Sequence, residues 1–224
     1  MIKMRVSISI IIILSLVLSV WGWSYKDSYT DISKDLDYLD SMMVAEIPEA
    51  FALEDCRTLI GTLPQAEYIL RVTPLESYEQ LFGTGQQKVI VQEVYSGKGV
   101  QSGQEVFITS QRWNLFLYDG EKSIERGFVN ILKTDTDYLV FCSEMLQVQN
   151  QNAVVFRLFD DSYIAPVFCY ENIENKVIEP TGETTYVPYT SVKHNEFFSC
   201  TELAMAAWSN LKTEMLKLYP RNST

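Results

Sequence analysis

The sequence predicts an α+β chain: a small antiparallel β-barrel core with flanking N-terminal and C-terminal helices, preceded by an N-terminal membrane segment. Three observations carry that expectation. From Ala66 to Tyr170 the chain runs in short stretches rich in Val, Ile, Phe and Tyr, separated by glycines and polar turns. On either side of this region apolar residues recur at helical spacing. Residues 1–23 hold no acid and contain a long apolar run. The boundaries that follow are 1–23 for the signal peptide or N-terminal membrane anchor, 24–47 for an acidic helical linker, 48–219 for the barrel domain with its C-terminal helix, and 220–224 for a tail.

Lys3 and Arg5 precede an apolar run from Val6 to Val20 broken only by serines. Cations before an uncharged run mark an export signal or an anchor whose charged end stays in the cytoplasm. Val6 to Val20 is short for the ~20 residues of a membrane span, but Met4 to Trp23 reaches that length. Trp21, Trp23 and Tyr25 then stand where an interfacial aromatic belt would sit. The best cleavage site, Val20-Trp21-Gly22, lacks the A-x-A form, which favours an uncleaved anchor. Either way the bulk of the chain is expected outside the cytoplasm, with the membrane as one partner.

Residues 24–55 carry nine acids against Lys26 and Lys34. Ile32, Leu36, Leu39 and Met43 make one helical stripe, so this stretch reads as an amphipathic acidic helix. Asp35, Asp37 and Asp40 invite a calcium-loop reading, but the loop glycine and terminal Glu of an EF-hand are missing. A second helix is expected from Pro48 to Ile60, stopped by Gly61. Strands are expected at 66–72, 87–97, 104–110, 127–132, 137–142, 153–159 and 164–170. In the second of these Val89, Val91, Glu93 and Tyr95 alternate with Ile90, Gln92 and Val94. From about Ser199 to Tyr219, Leu203, Ala206, Ala207, Leu211, Met215 and Leu218 line one helical face, and Pro220 ends the helix.

Charge narrows the partners. The chain has 18 Lys and Arg against 29 Asp and Glu, a net of −11. Only Lys3 and Arg5 are charged within 1–23, so the remainder holds 16 cations against 29 acids, a net of −13. Such a surface repels phosphate backbones, which argues against nucleic acid.

Catalytic and metal motifs are sparse. His194 is the one histidine, placed in the polar stretch "SVKHNEFF", and no G-x-S-x-G occurs. Cys56, Cys142, Cys169, Cys200 and His194 show no zinc-ligand spacing. No metal and no cofactor is expected. The carboxylate pairs Asp160-Asp161 and Asp135 with Asp137 fall in turn-like sequence, a weak basis for glycosidase chemistry. Gly97, Gly99 and Gly103 read as turn glycines rather than a phosphate cradle, because no helix follows them. In an exported chain Cys56, Cys142, Cys169 and Cys200 are disulfide candidates with three connectivities, against the alternative of four buried thiols. The best recognition candidate is "SQRWNLFLYDG", where Arg112, Trp113, Phe116 and Tyr118 have an interface-anchor composition; the competing reading points Trp113 into the core.

The order of elements resembles the netrin-like module, the OB-type barrel shared with tissue inhibitors of metalloproteases and with exported bacterial domains of that kind. The match rests on Ala66-Glu67 at the first strand, Tyr95-Ser96-Gly97 closing the second, and Tyr138-Leu139-Val140-Phe141 in a later one. The resemblance implies an OB-like barrel over about 48–219. The metalloprotease inhibitors act through a free N-terminal cysteine, and this chain has none before Cys56. The expectation is therefore an exported or membrane-anchored binding or interaction module without catalysis, taking an envelope or extracellular protein or a glycan. An exported hydrolase and an inhibitor acting by another route are the alternatives.

Overall fold

The computed structural model describes residues 12–22, 36–81, 84–111, 113, 115–118, 121–124, 132–146, 153–180 and 186–221. The chain divides into two units, Met1–Asp35 and Leu36–Thr224. In the first, residues 12–22 form a helix, α1. Ile12, Ile13, Leu14, Leu16, Val17, Leu18, Val20 and Trp21 are each more than half exposed on it. Eleven residues of helix rise about 16 Å, against a hydrocarbon core of about 30 Å. Among the described residues no helix is long and apolar enough to cross a membrane. The transmembrane helix expected over 4–23 is therefore not supported; residues 4–11 and 23 lie outside the described residues.

The second unit is α+β, built on a closed five-stranded barrel. Its strands are β2 (Tyr68–Pro74), β4 (Thr84–Ser96), β5 (Glu105–Ser110), β8 (Tyr138–Leu146) and β9 (Val155–Leu158). They run in the circuit β2-β4-β5-β9-β8, and β8 pairs again with β2. Opposed residues around this circuit include Leu70 with Val140, Val72 with Val91, Val89 with Val106, Ile108 with Phe156 and Cys142 with Leu158. All of these are buried, and the Tyr68 and Phe156 rings meet at 4.8 Å. This set fills the barrel.

The barrel is mixed rather than wholly antiparallel, because β5 and β9 run parallel. Parallel neighbours need a long crossover, here residues 111–154. No local pattern in β5 or β9 announces their pairing. Two short strands extend the sheet: β3 (Glu79–Leu81) on β4 and β10 (Val167–Cys169) on β8. A second sheet has the order β11-β1-β7-β6, from β1 (Met43–Ala45), β6 (Leu115–Tyr118), β7 (Glu121–Ile124) and β11 (Tyr186–Pro188). Of the strand expected at 127–132 only Leu132 is described, and it is buried.

Helices α2 (Glu49–Thr62) and α4 (Glu202–Leu218) cover one side of the barrel; α3 (Tyr189–Val192) is a single turn. Ile69 of β2 and Leu139 and Phe141 of β8 point away from the barrel interior into one cluster with Ala52, Cys56, Leu59, Met205, Trp208 and Leu211. β2 and β8 are thus apolar on both faces, which is why "YILRV" and "YLVFC" read as continuous runs. β4 instead alternates strictly from Thr84 to Val91, with Thr84, Gln86, Lys88 and Ile90 partly open to solvent.

Four local expectations change. Residues 36–47, expected within an acidic helix, form a 3-10 turn (Leu36–Ser41) and strand β1, since Met43 and Val44 gain sheet partners on both sides. Gly61 lies inside α2, which stops instead where Leu63-Pro64-Gln65 tightens into a 3-10 turn. On α4 the buried face is Ala204, Met205, Trp208, Leu211 and Met215, while Leu203 and Leu218 are exposed. Trp208 decides this, stacking on Phe197 with ring centroids 5.5 Å apart. In β4 the regular alternation breaks at a bulge: Arg71 opposes Glu93 while Val72 opposes Val91. The extra residue moves Glu93 and Tyr95 to the outer face with Arg71.

Gly85 packs where any side chain would collide, its Cβ direction running into the Tyr78 ring and the Trp113 carbonyl oxygen. Gly61, exposed in α2, has open space around it. Opposite signs follow for the same chemical change. Gly85→Ala is expected to lower stability by about 1–3 kcal/mol. Gly61→Ala is expected to raise it by about 0.5–1 kcal/mol. Urea unfolding of the two variants checks both signs.

Candidate functional site

Of the segment singled out for recognition, the structure describes the side chain of Trp113 and the backbone of residues 115–118. Trp113 is 2% exposed, and its carbonyl accepts a 2.8 Å hydrogen bond from the Tyr78 hydroxyl. It is a core residue seated over Gly85. Arg112 lies outside the described residues, as do the side chains of Phe116 and Tyr118, whose backbones belong to β6. In the backbone register Phe116 pairs with Ser123 and Tyr118 with Glu121 of β7.

Other candidates take structural places. His194 is exposed in the turn after α3. Asp160 accepts from the Ser110 hydroxyl (2.7 Å) and the Gln111 N–H (3.4 Å), fixing the end of β5. Asp137 accepts from Arg71 (2.9 Å) and Thr73 (2.6 Å), and Asp135 takes a left-handed turn conformation, φ 59°. Gly97, Gly99 and Gly103 all have positive φ, and Gly97 packs against the Tyr68 ring. Among the described residues no group of three or more His, Cys, Asp or Glu could hold a metal ion.

All four cysteines are free thiols, Cys56, Cys142 and Cys169 buried and Cys200 half-buried. Burial, reinforced by the neighbouring Asp55 carboxylate, pushes the Cys56 thiol up to about 12. Burial and the Glu46 carboxylate push Cys200 up to about 12 as well. Burial also raises Cys142 and Cys169.

The surface best placed to meet a ligand is the outer wall of β4 and β5. Lys88 stands opposite Phe107, Gln86 opposite Thr109 and Ile90 opposite Glu105. Ile90 and Phe107 are half-buried and Leu75, at the end of β2, is exposed, so the wall has an apolar centre. Around it the polar groups bind one another. Lys88 Nζ lies 3.0 Å from Glu105 and 3.2 Å from Glu76. Hydrogen bonds to Glu105 and Glu76 raise the lysine's affinity for its proton. Gln86 donates to Glu79 (2.6 Å) and Gln92 to Thr73 (2.9 Å). On the neighbouring strands Arg157 pairs with Glu144 at 2.7 Å. Lys88 and Arg157 are both already neutralised, so among the described residues the wall offers no row of free positive charge for phosphates. It offers an aromatic ring, two aliphatic side chains and a dense rim of amides, hydroxyls and carboxylates.

The sequence-based reading missed this wall because its residues lie in regular strands, where they read as sheet formers. The available signal was Ile90 and Phe107, apolar residues out of phase with the buried set of β4 and β5.

No protein-family model matches the chain, and no curated protein matches it either.

With three thiols buried, Cys200 half-buried and all four held protonated, a disulfide-exchanging reagent such as Ellman's at pH 8 is expected to react slowly with the native chain. Unfolding without reductant should release four thiols per chain. Fewer than four would show that disulfides form in the protein.

Proposed function

We propose that this chain is an extracytoplasmic binding module on an OB-type, netrin-like barrel, with no catalytic role, and that the outer wall of β4 and β5 takes a polypeptide or glycan ligand. Numbered along the chain, the barrel strands close in the order 1-2-3-5-4-1, with strands 3 and 5 parallel. That connectivity supports the OB reading, in which the second and third strands form the binding face. The single observation that carries the proposal is the asymmetry of the barrel: helices cover the β2–β8 side, while the β4–β5 wall keeps Ile90, Phe107 and Leu75 partly open to solvent. The internal pairing of Lys88 and Arg157 and the net −13 of residues 24–224 turn the reading away from nucleic acid.

Location outside the cytoplasm is supported by Lys3 and Arg5 ahead of α1, and by the exposure of every large apolar residue on that helix. Eight large apolar side chains in water are unfavourable, and lipid or the export machinery would cover them.

Binding is tested by probing the full-length chain against glycan and peptide arrays, then comparing Phe107→Ala on the hits. The expected result is at least about a tenfold loss of affinity, the 1.4 kcal/mol or more typical of an aromatic contact. An unchanged melting temperature would show that the fold survives. Ligand binding indifferent to Phe107→Ala and Ile90→Ala would contradict the assignment to this wall. For location, protease added to intact cells is expected to digest the chain; protection until lysis would place it inside.

A further inference from the structure

Past the end of α4, residues Tyr219, Pro220 and Arg221 lie against the barrel's outer side at β4, β8 and the segment after β10. Their contacts fall into two kinds. Side chains from the barrel bind the backbone of this short segment: the Tyr170 hydroxyl donates to the Tyr219 carbonyl (2.8 Å), and the Tyr95 hydroxyl to the Pro220 carbonyl (2.7 Å). Carboxylates bind its one charge: Arg221 Nε lies 3.2 Å from Asp137, and its terminal nitrogen 3.2 Å from Glu171. The Tyr219 ring packs on Tyr95 (5.4 Å) and Phe141 (5.7 Å).

We infer that Tyr219-Pro220-Arg221 is a releasable latch, held shut by two phenols and two carboxylates and opened by screening of the Arg221 charge. Two features make it a latch rather than fixed packing. The first is the phenol pair. The Tyr95 and Tyr170 hydroxyl oxygens are 3.1 Å apart, close enough to bond each other, yet each has one proton and gives it to a latch carbonyl. When the latch leaves, one hydroxyl can donate to the other and the second turns its proton to water entering the bared cleft, so opening exchanges two hydrogen bonds to the latch for one within the pair and one to solvent.

The second feature is the graded exposure of the ionic half. Asp137 is nearly buried and stays neutralised by Arg71 whether Arg221 is present or not. Arg221 and Glu171 are more than half exposed, where salt screens their attraction. Release therefore leaves no orphaned charge behind. It bares a cleft lined by Tyr95, Tyr170, Asp137 and Glu171 between the barrel and α4. The inference rests on these contacts and not on the binding role of the β4–β5 wall.

Amide hydrogen exchange on the full-length chain tests it, comparing wild type, Arg221→Ala and the double variant Tyr95→Phe/Tyr170→Phe. The amides of 137–141 and 169–171 report the latch, and those of Ile108 and Phe156 at the β5–β9 seam serve as the internal reference. Both variants are expected to speed exchange at the latch amides on the order of tenfold while the seam is unchanged. Raising salt to 1 M should move wild type toward Arg221→Ala and leave Arg221→Ala where it is. Wild-type exchange rates in both variants would overturn the inference. So would seam and latch amides accelerating together, which would mean that the tail is part of the global fold.

Discussion

The parallel pairing of β9 with β5 is the constraint on which the rest depends. β9 is four residues long and also pairs antiparallel with β8, so it joins two edges that would otherwise stay open. Closure buries the inward residues of five strands around Tyr68 and Phe156, and full burial of an apolar side chain of this size is worth roughly 1.5–3 kcal/mol. It also sets the curvature that turns β2 and β8 toward α2 and α4 and β4 and β5 away from them. One wall is covered by helices and the other keeps Ile90 and Phe107 partly open to solvent. A five-stranded open sheet would instead carry two unpaired edges exposed to association.

The charged groups beneath the helical cover are held in ion pairs, and where Arg71 Nε faces Glu93 Oε2 the pair forms without a hydrogen bond. Arg71 is the one charge in the doubly buried β2, and it lies between Asp137 at 2.9 Å and Glu93 at 3.4 Å. Removing one partner from a buried pair typically costs about 3–5 kcal/mol, far more than the pair contributes over an apolar substitute. Such groups therefore specify an arrangement more than they stabilise it. Glu196 does the same for α4: one oxygen accepts the Cys169 N–H at 2.8 Å, the other pairs with Lys212, and the lysine lies over the Trp208 ring. Burial raises the Glu196 carboxyl above its ordinary range, with Lys212 opposing the shift.

Much of this was legible in the residues, and the failures share a physical cause. Six of the seven predicted runs contain a strand, because β-branched and aromatic clusters between turn glycines reflect local backbone preference. What depends on distant residues was not readable. The parallel seam pairs residues separated by the whole crossover. β1 is a strand only because β7 and β11 flank it, although its sequence carries a helical stripe. The buried face of α4 follows Trp208 and Phe197, and the β4 bulge shows only through its partner β2. At the level of the site, Trp113 has the composition of an interface anchor and the position of a core residue. Phe107 has the composition of a sheet former and a half-buried place on the outer wall, and only the barrel's uneven cover distinguishes them.

The measurement that tests this account most directly is the set of inter-strand NOEs across the β5–β9 seam in the native chain. Closure predicts parallel contacts in the register Phe107 with Val155, Ile108 with Phe156 and Thr109 with Arg157, alongside antiparallel contacts of Met145 with Phe156. Contacts to β8 alone, with β5 amides exchanging as a free edge, would contradict the closed barrel and with it the division into a covered and an open wall.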